Sequence, residues 1–245
     1  TPPIPGESTL SVDVASGAAQ VFSIDPATMT LAQTIPLTHD GRAQSESQGP
    51  GMPNYLGPAV VDFAGQRAYV PSKKDNIRAG ALRGVAGLGF DSAVRANTSR
   101  ILLATGTEDP SLRIDHDNSS LATGAALSGD DRYLFVTLET SRQLAVYDLQ
   151  DGYPLMRLPT GRAPQSVALS SDGRTAYVHD FMDRQISRFD LTQMLETNLP
   201  SANPLPPIHT VSVEALPPTI LLGKQLFYDA SDDRLALDDY LSCAS

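Results

Sequence analysis

Short apolar runs separated by polar turns recur along the middle of the chain, and one unit of this pattern occurs twice. Residues 126–149 and 168–191 align without a gap at an offset of 42 residues and are identical at ten of 24 positions. In each copy an apolar run leads into a Ser-x-Asp-x-Arg turn, a second apolar run follows, and an alternating run closes the unit. These short runs predict β-strands, and the Asp-Gly pair in the second copy favours a tight hairpin.

A fourth strand completes each unit. Residues 155–158 form another short apolar run, which ends at the Thr-Gly-Arg-Ala-Pro sequence of residues 160–164. Glycine and proline mark the passage to the next unit. Four strands in a repeat of about 40–45 residues are typical of propeller blades. The sequence therefore predicts an all-β fold, a β-propeller with four-stranded blades.

Two further units match the repeat less closely. Residues 59–70 align with residues 167–178 at an offset of 108, and a long insertion rich in glycine and arginine follows them. Residues 20–25 resemble residues 143–148, with residues 8–14 as a candidate strand before them. We therefore predict about four blades, the first of which is incomplete. Propellers close with about four to eight blades, so we expect a piece of a larger ring, from a longer or processed product, rather than a complete four-bladed one.

A different composition follows the repeats. Six prolines lie between residues 198 and 218, at positions 200, 204, 206, 207, 217 and 218, which indicates a linker that could contain a last strand. Residues 219–228 then have helical spacing, with prolines at the predicted start of a short amphipathic helix. The predicted domains are propeller blades over residues 1–197, the linker over residues 198–218, and the start of another domain over residues 219–245.

Composition narrows the possible partners. The chain has 18 basic and 28 acidic residues, a net charge of −10, which argues against nucleic acids and anionic membrane surfaces. No apolar run is long enough to span a bilayer. A single cysteine excludes an internal disulfide framework. The chain also lacks the motifs of serine hydrolases and of zinc proteases.

Three groups of charged residues are candidate sites, each with a simpler explanation. His116 between Asp115 and Asp117 could be part of a metal site, but Asp and Asn are equally the residues of a polar turn. Basic residues in and beside the insertion could form a docking surface for an acidic partner or simply a solvated loop; they include Lys73, Lys74, Arg78 and Arg83. A set of C-terminal aspartates could contribute to a calcium site, although most are expected to be solvated and their spacing is not that of an EF-hand; these are Asp229, Asp232, Asp233, Asp238 and Asp239.

The blade sequences resemble the YVTN family of propeller repeats. The matching residues are Ala-Tyr-Val at 68–70 and 176–178, Leu-Phe-Val at 134–136, and the Ser-x-Asp-Gly-Arg turn at 170–174. The asparagine that closes the family motif is absent, because Pro71, Thr137 and His179 follow the valines. The resemblance covers roughly residues 8–195. It implies a scaffold or binding surface in the periplasm or outside the cell.

The C-terminus resembles the opening of a bacterial di-haem cytochrome c peroxidase-type domain. The family's Gly-x-x-Leu-Phe-x-Asp helix has its counterpart in Gly223, Leu226, Phe227 and Asp229, and Ser242-Cys243 matches the first part of its Ser-Cys-x-x-Cys-His haem-attachment site. Ala236 and Asp239 replace the Ser and Gly that the family pattern has. The resemblance implies that Cys243 is the first haem-attachment cysteine, and that haem c is a cofactor of the parent protein. The alternative is that Cys243 is a lone structural or disordered thiol near a terminus.

Two functions of different classes follow from these resemblances. The first is an exported propeller that serves as scaffold or docking module of a haem c protein, involved in electron transfer or peroxide reduction. Its expected partners are the rest of the propeller, the haem domain and a redox protein. The second is a surface propeller without redox chemistry that binds a protein or a glycan. Both place the protein in the periplasm or at the cell surface.

Overall fold

The computed structural model describes residues 19–80, 88–236 and 238–245, and antiparallel strands make up most of its secondary structure. In the described residues the strands form four sheets, numbered here in chain order. The third and fourth sheets are four-stranded and neighbouring sheets pack against each other, which is the blade arrangement of a β-propeller. The all-β fold predicted from the repeat is therefore confirmed.

The first two sheets are less regular than the later two. Their strands are β1 (Gln20–Asp25), β2 (Thr30–Pro36), β3 (Met52–Asn54), β4 (Val60–Val61), β5 (Arg67–Asp75), β6 (Val94–Leu102), β7 (Thr107–Glu108) and β8 (Ile114–His116). Within the described residues, the first sheet consists of β1 and β2. In the second sheet, β3 and β4 both pair with β5, while β7 and β8 both pair with β6. The candidate strand at residues 8–14 lies outside the described residues.

The third and fourth sheets are the two copies of the repeat. The third contains β9 (Ala122–Leu127), β10 (Tyr133–Leu138), β11 (Gln143–Asp148) and β12 (Tyr153–Pro159), and the fourth contains β13 (Pro164–Leu169), β14 (Thr175–Asp180), β15 (Gln185–Asp190) and β16 (Asn203–His209). In each sheet the strands lie side by side in chain order. The first strands of the two units, β9 and β13, also approach each other, since Thr123 Oγ1 donates to the Pro164 carbonyl at 3.2 Å. The first strand of each unit is therefore inner and the fourth is outer.

The identical turn residues of the repeat make identical hydrogen bonds. Ser128 Oγ donates to Asp130 Oδ1 at 2.5 Å and accepts the backbone N–H of Tyr133 at 2.9 Å. Ser170, 42 residues later, makes the two equivalent bonds at 2.5 and 2.9 Å. These side chains hold the hairpin between the first two strands closed. The Ser-x-Asp turn therefore occurs in both copies because its side chains make the same hydrogen bonds in both hairpins.

Strand β10 lies at the centre of the hydrophobic core and is buried along its whole length. Tyr133 and Phe135 pack into the cluster between the third and fourth sheets. Leu134, Val136 and Leu138 pack into the cluster between the second and third sheets. Because successive side chains of a strand point to opposite faces, one apolar strand supplies both cores. This explains why its sequence is apolar at every position except Thr137.

The proline-rich region does contain a strand. β16 carries prolines at 204, 206 and 207. Among the strands of the described residues it pairs with β15 alone, so it is the outer edge of the fourth sheet. Prolines are tolerated on an edge because one side of the strand needs no backbone donors. The helix predicted at residues 219–228 is present at Pro218–Phe227, whereas the short helix at Thr192–Thr197 was not predicted from the sequence.

Three α-helices and one 3₁₀-helix (Pro110–Leu112) occur in the described residues. The α-helices are α1 (Phe90–Ala93), α2 (Thr192–Thr197) and α3 (Pro218–Phe227). α2 buries Met194 against the fourth sheet and ends at Asn198, whose φ of 57° is left-handed, a common helix ending. α3 begins with proline in its first turn, as expected. Among the helices of the described residues, none combines the length and apolar character that a membrane crossing requires.

Candidate functional site

The C-terminal segment, defined here as residues 218–236 and 238–245, lies against one end of the third and fourth sheets. The contacted residues belong to the loop before β9, the β10–β11 turn and the β14–β15 turn. We call this surface the segment-binding face; it comprises residues 117–120, 140–142 and 181–184.

Two arginines at equivalent positions of the repeat bind acidic residues that follow the blades. Arg142, in the β10–β11 turn, donates a hydrogen bond to Asp229. Arg184, in the β14–β15 turn, donates from Nε to Glu214 at 3.2 Å. Both arginines have left-handed backbone conformations, with φ of 53° and 52°. The same turn geometry therefore presents a guanidinium to the C-terminal part of the chain twice.

Tyr240 is the aromatic anchor of the segment. It is 2% exposed, and its hydroxyl donates a hydrogen bond to Asp117. The guanidinium of Arg95 lies 5.5 Å from the centre of its ring, a cation–π contact. Burial, together with the bond to Asp117, raises the pKa of Tyr240 to about 12. The phenol is therefore neutral and acts as a donor at physiological pH.

Three further hydrogen bonds fix the path of the segment. The backbone N–H of Ala230 donates to the Thr140 carbonyl at 2.8 Å. Ser141 Oγ donates to the Asp239 carbonyl at 3.2 Å. At the last residue, Ser245 Oγ donates to Ser120 Oγ at 2.9 Å. The bonds begin just after α3 and end beside Cys243, so they span the part that resembles a haem-attachment region.

Cys243 lies in a turn and is exposed. The turn is closed by bonds from the Ser242 N–H to Ser245 Oγ at 2.9 Å and from the Ala244 N–H to Ser242 Oγ at 3.1 Å. The thiol is thus accessible on a segment whose backbone is held on both sides. That placement permits chemical modification of the sulfur without unfolding.

Helix α3 approaches the fourth sheet but leaves an apolar surface open. Lys224 lies 5.1 Å from the centre of the Phe181 ring, and Gln225 Nε2 donates to the Met182 carbonyl at 3.4 Å. The apolar side chains of α3 are not buried, and Ile220 is 58% exposed. Exposed apolar side chains on one helix indicate a surface that further protein can cover.

The structure separates the three residues considered as a metal site. His116 is fully buried, its Nε2 lies 2.9 Å from Thr98 Oγ1, and burial lowers its pKa to about 3. Asp115 binds Lys74 at 2.7 Å and Arg42 at 3.2 Å. Asp117 interacts instead with Tyr240 and Arg95. Each group already has a different protein partner, so the three do not form a shared set of ligands.

The basic residues considered as a docking surface also have different environments. Lys74 is 1% exposed, and its ammonium contacts Asp40 Oδ2 at 2.6 Å, the Gly49 carbonyl at 2.5 Å and Asp115 Oδ2 at 2.7 Å. Burial lowers its pKa, opposed by these carboxylates. Lys74 is therefore a structural residue and not part of an exposed surface. The remaining candidates are partly exposed Lys73, paired with Asp75 at 3.3 Å, exposed Arg78, and Arg83, which lies outside the described residues.

Two of the five aspartates considered for calcium are paired with arginines. Asp229 binds Arg142, and Asp232 binds Arg234 at 2.6 Å. Within the described residues, no group of three or more His, Cys, Asp or Glu side chains is arranged to hold a metal ion. Calcium at this position is thus not supported by the geometry.

The residues that build the segment-binding face were not singled out from the sequence. Arg142 and Arg184 were visible only as identical positions in the two copies of the repeat. Their identity could have indicated a shared role, because residues in turns have fewer packing constraints than residues in strands. Tyr240 carried no such signal, since its partners lie more than a hundred positions away in the chain.

The fold is similar to that of several solved structures. No protein-family model matches the chain, and no curated protein matches it. The structure of hydrazine synthase from Kuenenia stuttgartiensis is 17% identical, with a TM-score of 0.54, over 72% of this chain and 53% of that chain. The periplasmic gluconolactonase PpgL of Pseudomonas aeruginosa is 16% identical, with a TM-score of 0.51, over 81% of this chain and 50% of that chain.

These similarities establish the β-propeller fold but neither a family nor a function. The chain spans about half the length of either solved structure.

Proposed function

We propose that the chain is the docking module of an exported haem c protein that transfers electrons or reduces peroxide. In this proposal the blades hold the beginning of a cytochrome c-type domain, which residues 219–245 represent. The observation that carries it is the attachment of this region to the segment-binding face through Arg142 and Asp229, Tyr240 and Asp117, and Ser245 and Ser120.

One residue connects the resemblance to the geometry. Asp229 is the aspartate of the Gly-x-x-Leu-Phe-x-Asp pattern, and it is also the residue that Arg142 binds. Its carboxylate is almost fully buried, accepts bonds from Ser231 and is neutralised by the guanidinium. The pattern that resembles the start of a haem domain therefore coincides with an anchor on the blades. This coincidence supports a docking role for the propeller.

The exposed apolar side chains of α3 support the same role. Ile220, Leu222 and Phe227 are each about half exposed. A helix that opens a larger domain would cover such side chains with the remainder of that domain. The rest of the haem domain is therefore the proposed partner of this surface, and a redox protein is the proposed partner of the assembled molecule.

The residues of this chain fit only the first part of a haem-attachment site. Cys243 is exposed and is the sole cysteine of the chain, so it offers one thiol for a thioether bond. A complete Cys-x-x-Cys-His site also needs a second thiol and an adjacent histidine as axial ligand. Bound haem would supply the redox chemistry, and the residues of this chain would orient its attachment segment.

Covalent attachment at Cys243 tests this proposal. The complete gene product is produced with the c-type haem maturation system, and the peptide that contains Cys243 is analysed by mass spectrometry. We expect the peptide to carry haem and the Cys243→Ser variant to lose that attachment. A peptide with an unmodified thiol from intact, folded protein would contradict the proposal. It would favour the second function, a propeller that binds a protein or glycan at the cell surface.

Export is tested separately. Fractionation of cells that express the complete gene should place the protein in the periplasm or at the cell surface, because covalent haem attachment of this type follows export. Recovery in the cytoplasmic fraction alone would contradict this part of the proposal.

A further inference from the structure

A buried carboxyl group without a cationic partner lies where three sheets meet. Glu139 follows β10 and is 3% exposed. Its Oε1 accepts a hydrogen bond from Gln165 Nε2 at 3.0 Å, and no lysine, arginine or histidine of the described residues pairs with it. Burial raises the pKa of this carboxyl. Buried carboxylates are normally paired because removing a charge from water is costly.

Glu139 lines a pocket of about 260 Å³. The other lining residues come from the inner strands or the loops beside them in the second, third and fourth sheets: Tyr55, Leu56, Gly57, Thr123 and Gln165. The pocket is therefore assembled by three successive blades. Its polar side chains are one carboxyl, one amide and the hydroxyls of Thr123 and Tyr55, and no basic side chain lines it.

The backbone on the Tyr55 side of the pocket has an uncommon conformation and packs closely against the third sheet. Tyr55 has a left-handed conformation with φ of 51°, uncommon for a large side chain, and its ring is 65% exposed. Two residues later, Gly57 approaches the third sheet so closely that an added Cβ would lie 2.2 Å from the Thr123 carbonyl oxygen. Strained and tightly packed backbone of this kind is concentrated at ligand sites.

We propose that this pocket binds a small organic cation, specifically a protonated primary amine. The ammonium group would donate hydrogen bonds to Glu139 and to the amide oxygen of Gln165, whose nitrogen is already used. The exposed Tyr55 ring would add a cation–π contact at the pocket rim. A positive ligand supplies the charge that no described residue provides, and the net charge of −10 favours its approach. The site is independent of the proposed haem chemistry.

Calorimetric titration with n-butylammonium chloride tests the proposal, with butan-1-ol as the neutral probe of similar shape. We expect the ammonium ion to bind with one-to-one stoichiometry and butanol to bind at least about tenfold more weakly, since charged hydrogen bonds exceed neutral ones. Equal affinity for the two probes, or no binding of the ammonium ion, would overturn the proposal.

Variants locate the binding site. Glu139→Gln keeps the shape of the side chain and should weaken ammonium binding at least about tenfold. Glu46→Gln removes the same charge from an exposed residue outside the pocket and should leave the affinity unchanged. Equal losses in both variants would indicate general electrostatic attraction and overturn the assignment.

A second variant covers the case in which Glu139→Gln does not fold. Tyr55→Leu alters an exposed ring and should weaken ammonium binding about two- to fivefold, the range of an exposed cation–π contact, without altering butanol binding. Unchanged ammonium affinity in this variant would contradict the proposed position of the cation.

Discussion

The guanidinium of Arg142 donates a hydrogen bond to the carboxylate of Asp229, 87 positions later in the chain. Arg184 occupies the equivalent position in the next blade and binds Glu214. The repeat therefore does more than build the propeller, because its turns also hold the chain that leaves the last blade. The proposed docking role depends on this attachment.

Removal of the Arg142 side chain should loosen the C-terminal segment. In Arg142→Ala we expect faster hydrogen exchange at the Ala230 amide, whose acceptor is the adjacent Thr140 carbonyl. A double-mutant cycle with Asp229→Ala should give a coupling energy of about 1–3 kcal/mol for this partly buried pair. The free energies are measured by chemical denaturation.

The exposed pair of Arg174 and Glu196 serves as the matched control. Their side chains are roughly half exposed and 2.9 Å apart. We expect a coupling energy below about 1 kcal/mol there, as for other surface pairs. A coupling at Arg142 and Asp229 no larger than at this control would contradict an anchoring role.

Lys74 should be essential for stability. The Lys74→Met variant would leave the buried carboxylates of Asp40 and Asp115 without their shared ammonium. We expect the free energy of unfolding to fall by about 3–5 kcal/mol, the usual cost of breaking a buried ion pair. Lys73→Met, in the adjacent and more exposed position, should cost less than about 1 kcal/mol. Similar losses in the two variants would show that burial of Lys74 is not decisive.

Gly57 should not tolerate a methyl group. In Gly57→Ala the new Cβ would collide with the Thr123 carbonyl, and backbone of both sheets would have to move. We expect a loss of about 1–3 kcal/mol in the free energy of unfolding, as for other overpacked sites. Gly129→Ala has open space around its Cβ and should change stability by less than about 0.5 kcal/mol. Thermal or chemical denaturation distinguishes the two, and equal stabilities would contradict the close approach.

The buried imidazole of His116 should make the fold sensitive to acid. Its folded pKa of about 3 lies below the ordinary value of 6.5, so the unfolded chain binds the proton first as the pH falls. Stability is therefore lost below pH 6.5, by about 2 kcal/mol from this group between pH 7 and pH 5.

The variant His116→Gln tests that dependence. Its free energy of unfolding should fall by about 2 kcal/mol less over the same pH interval. His209→Gln, at an exposed position, controls for the loss of an imidazole. An unchanged pH dependence in His116→Gln would refute the assignment of a buried neutral histidine.

The sequence predicted the fold where local patterns determine it. The hairpins of the third and fourth sheets follow from the repeated Ser-x-Asp turn and its short apolar strands, and Pro218 correctly indicated the start of α3. The short helix α2 was missed because its apolar residues pack on the fourth sheet, which local periodicity does not reveal.

The candidate sites were harder to predict because they depend on contacts between distant residues. The sequence grouped Lys74 with exposed basic residues. In the structure its ammonium is buried and pairs with Asp40 and Asp115, which are 34 and 41 positions away in the sequence. The pocket at Glu139 depends on Gly57 and Gln165, which belong to other sheets. The spacing of residues in the sequence does not reveal such long-range contacts unless a repeat or a motif links the residues.

The most direct measurement is a reduced-minus-oxidised visible spectrum of the complete gene product, made with c-type haem maturation and compared with the Cys243→Ser variant. We expect sharp c-type bands in the parent protein and a reduced or altered spectrum in the variant. A featureless spectrum from intact, folded parent protein would contradict the proposed haem function.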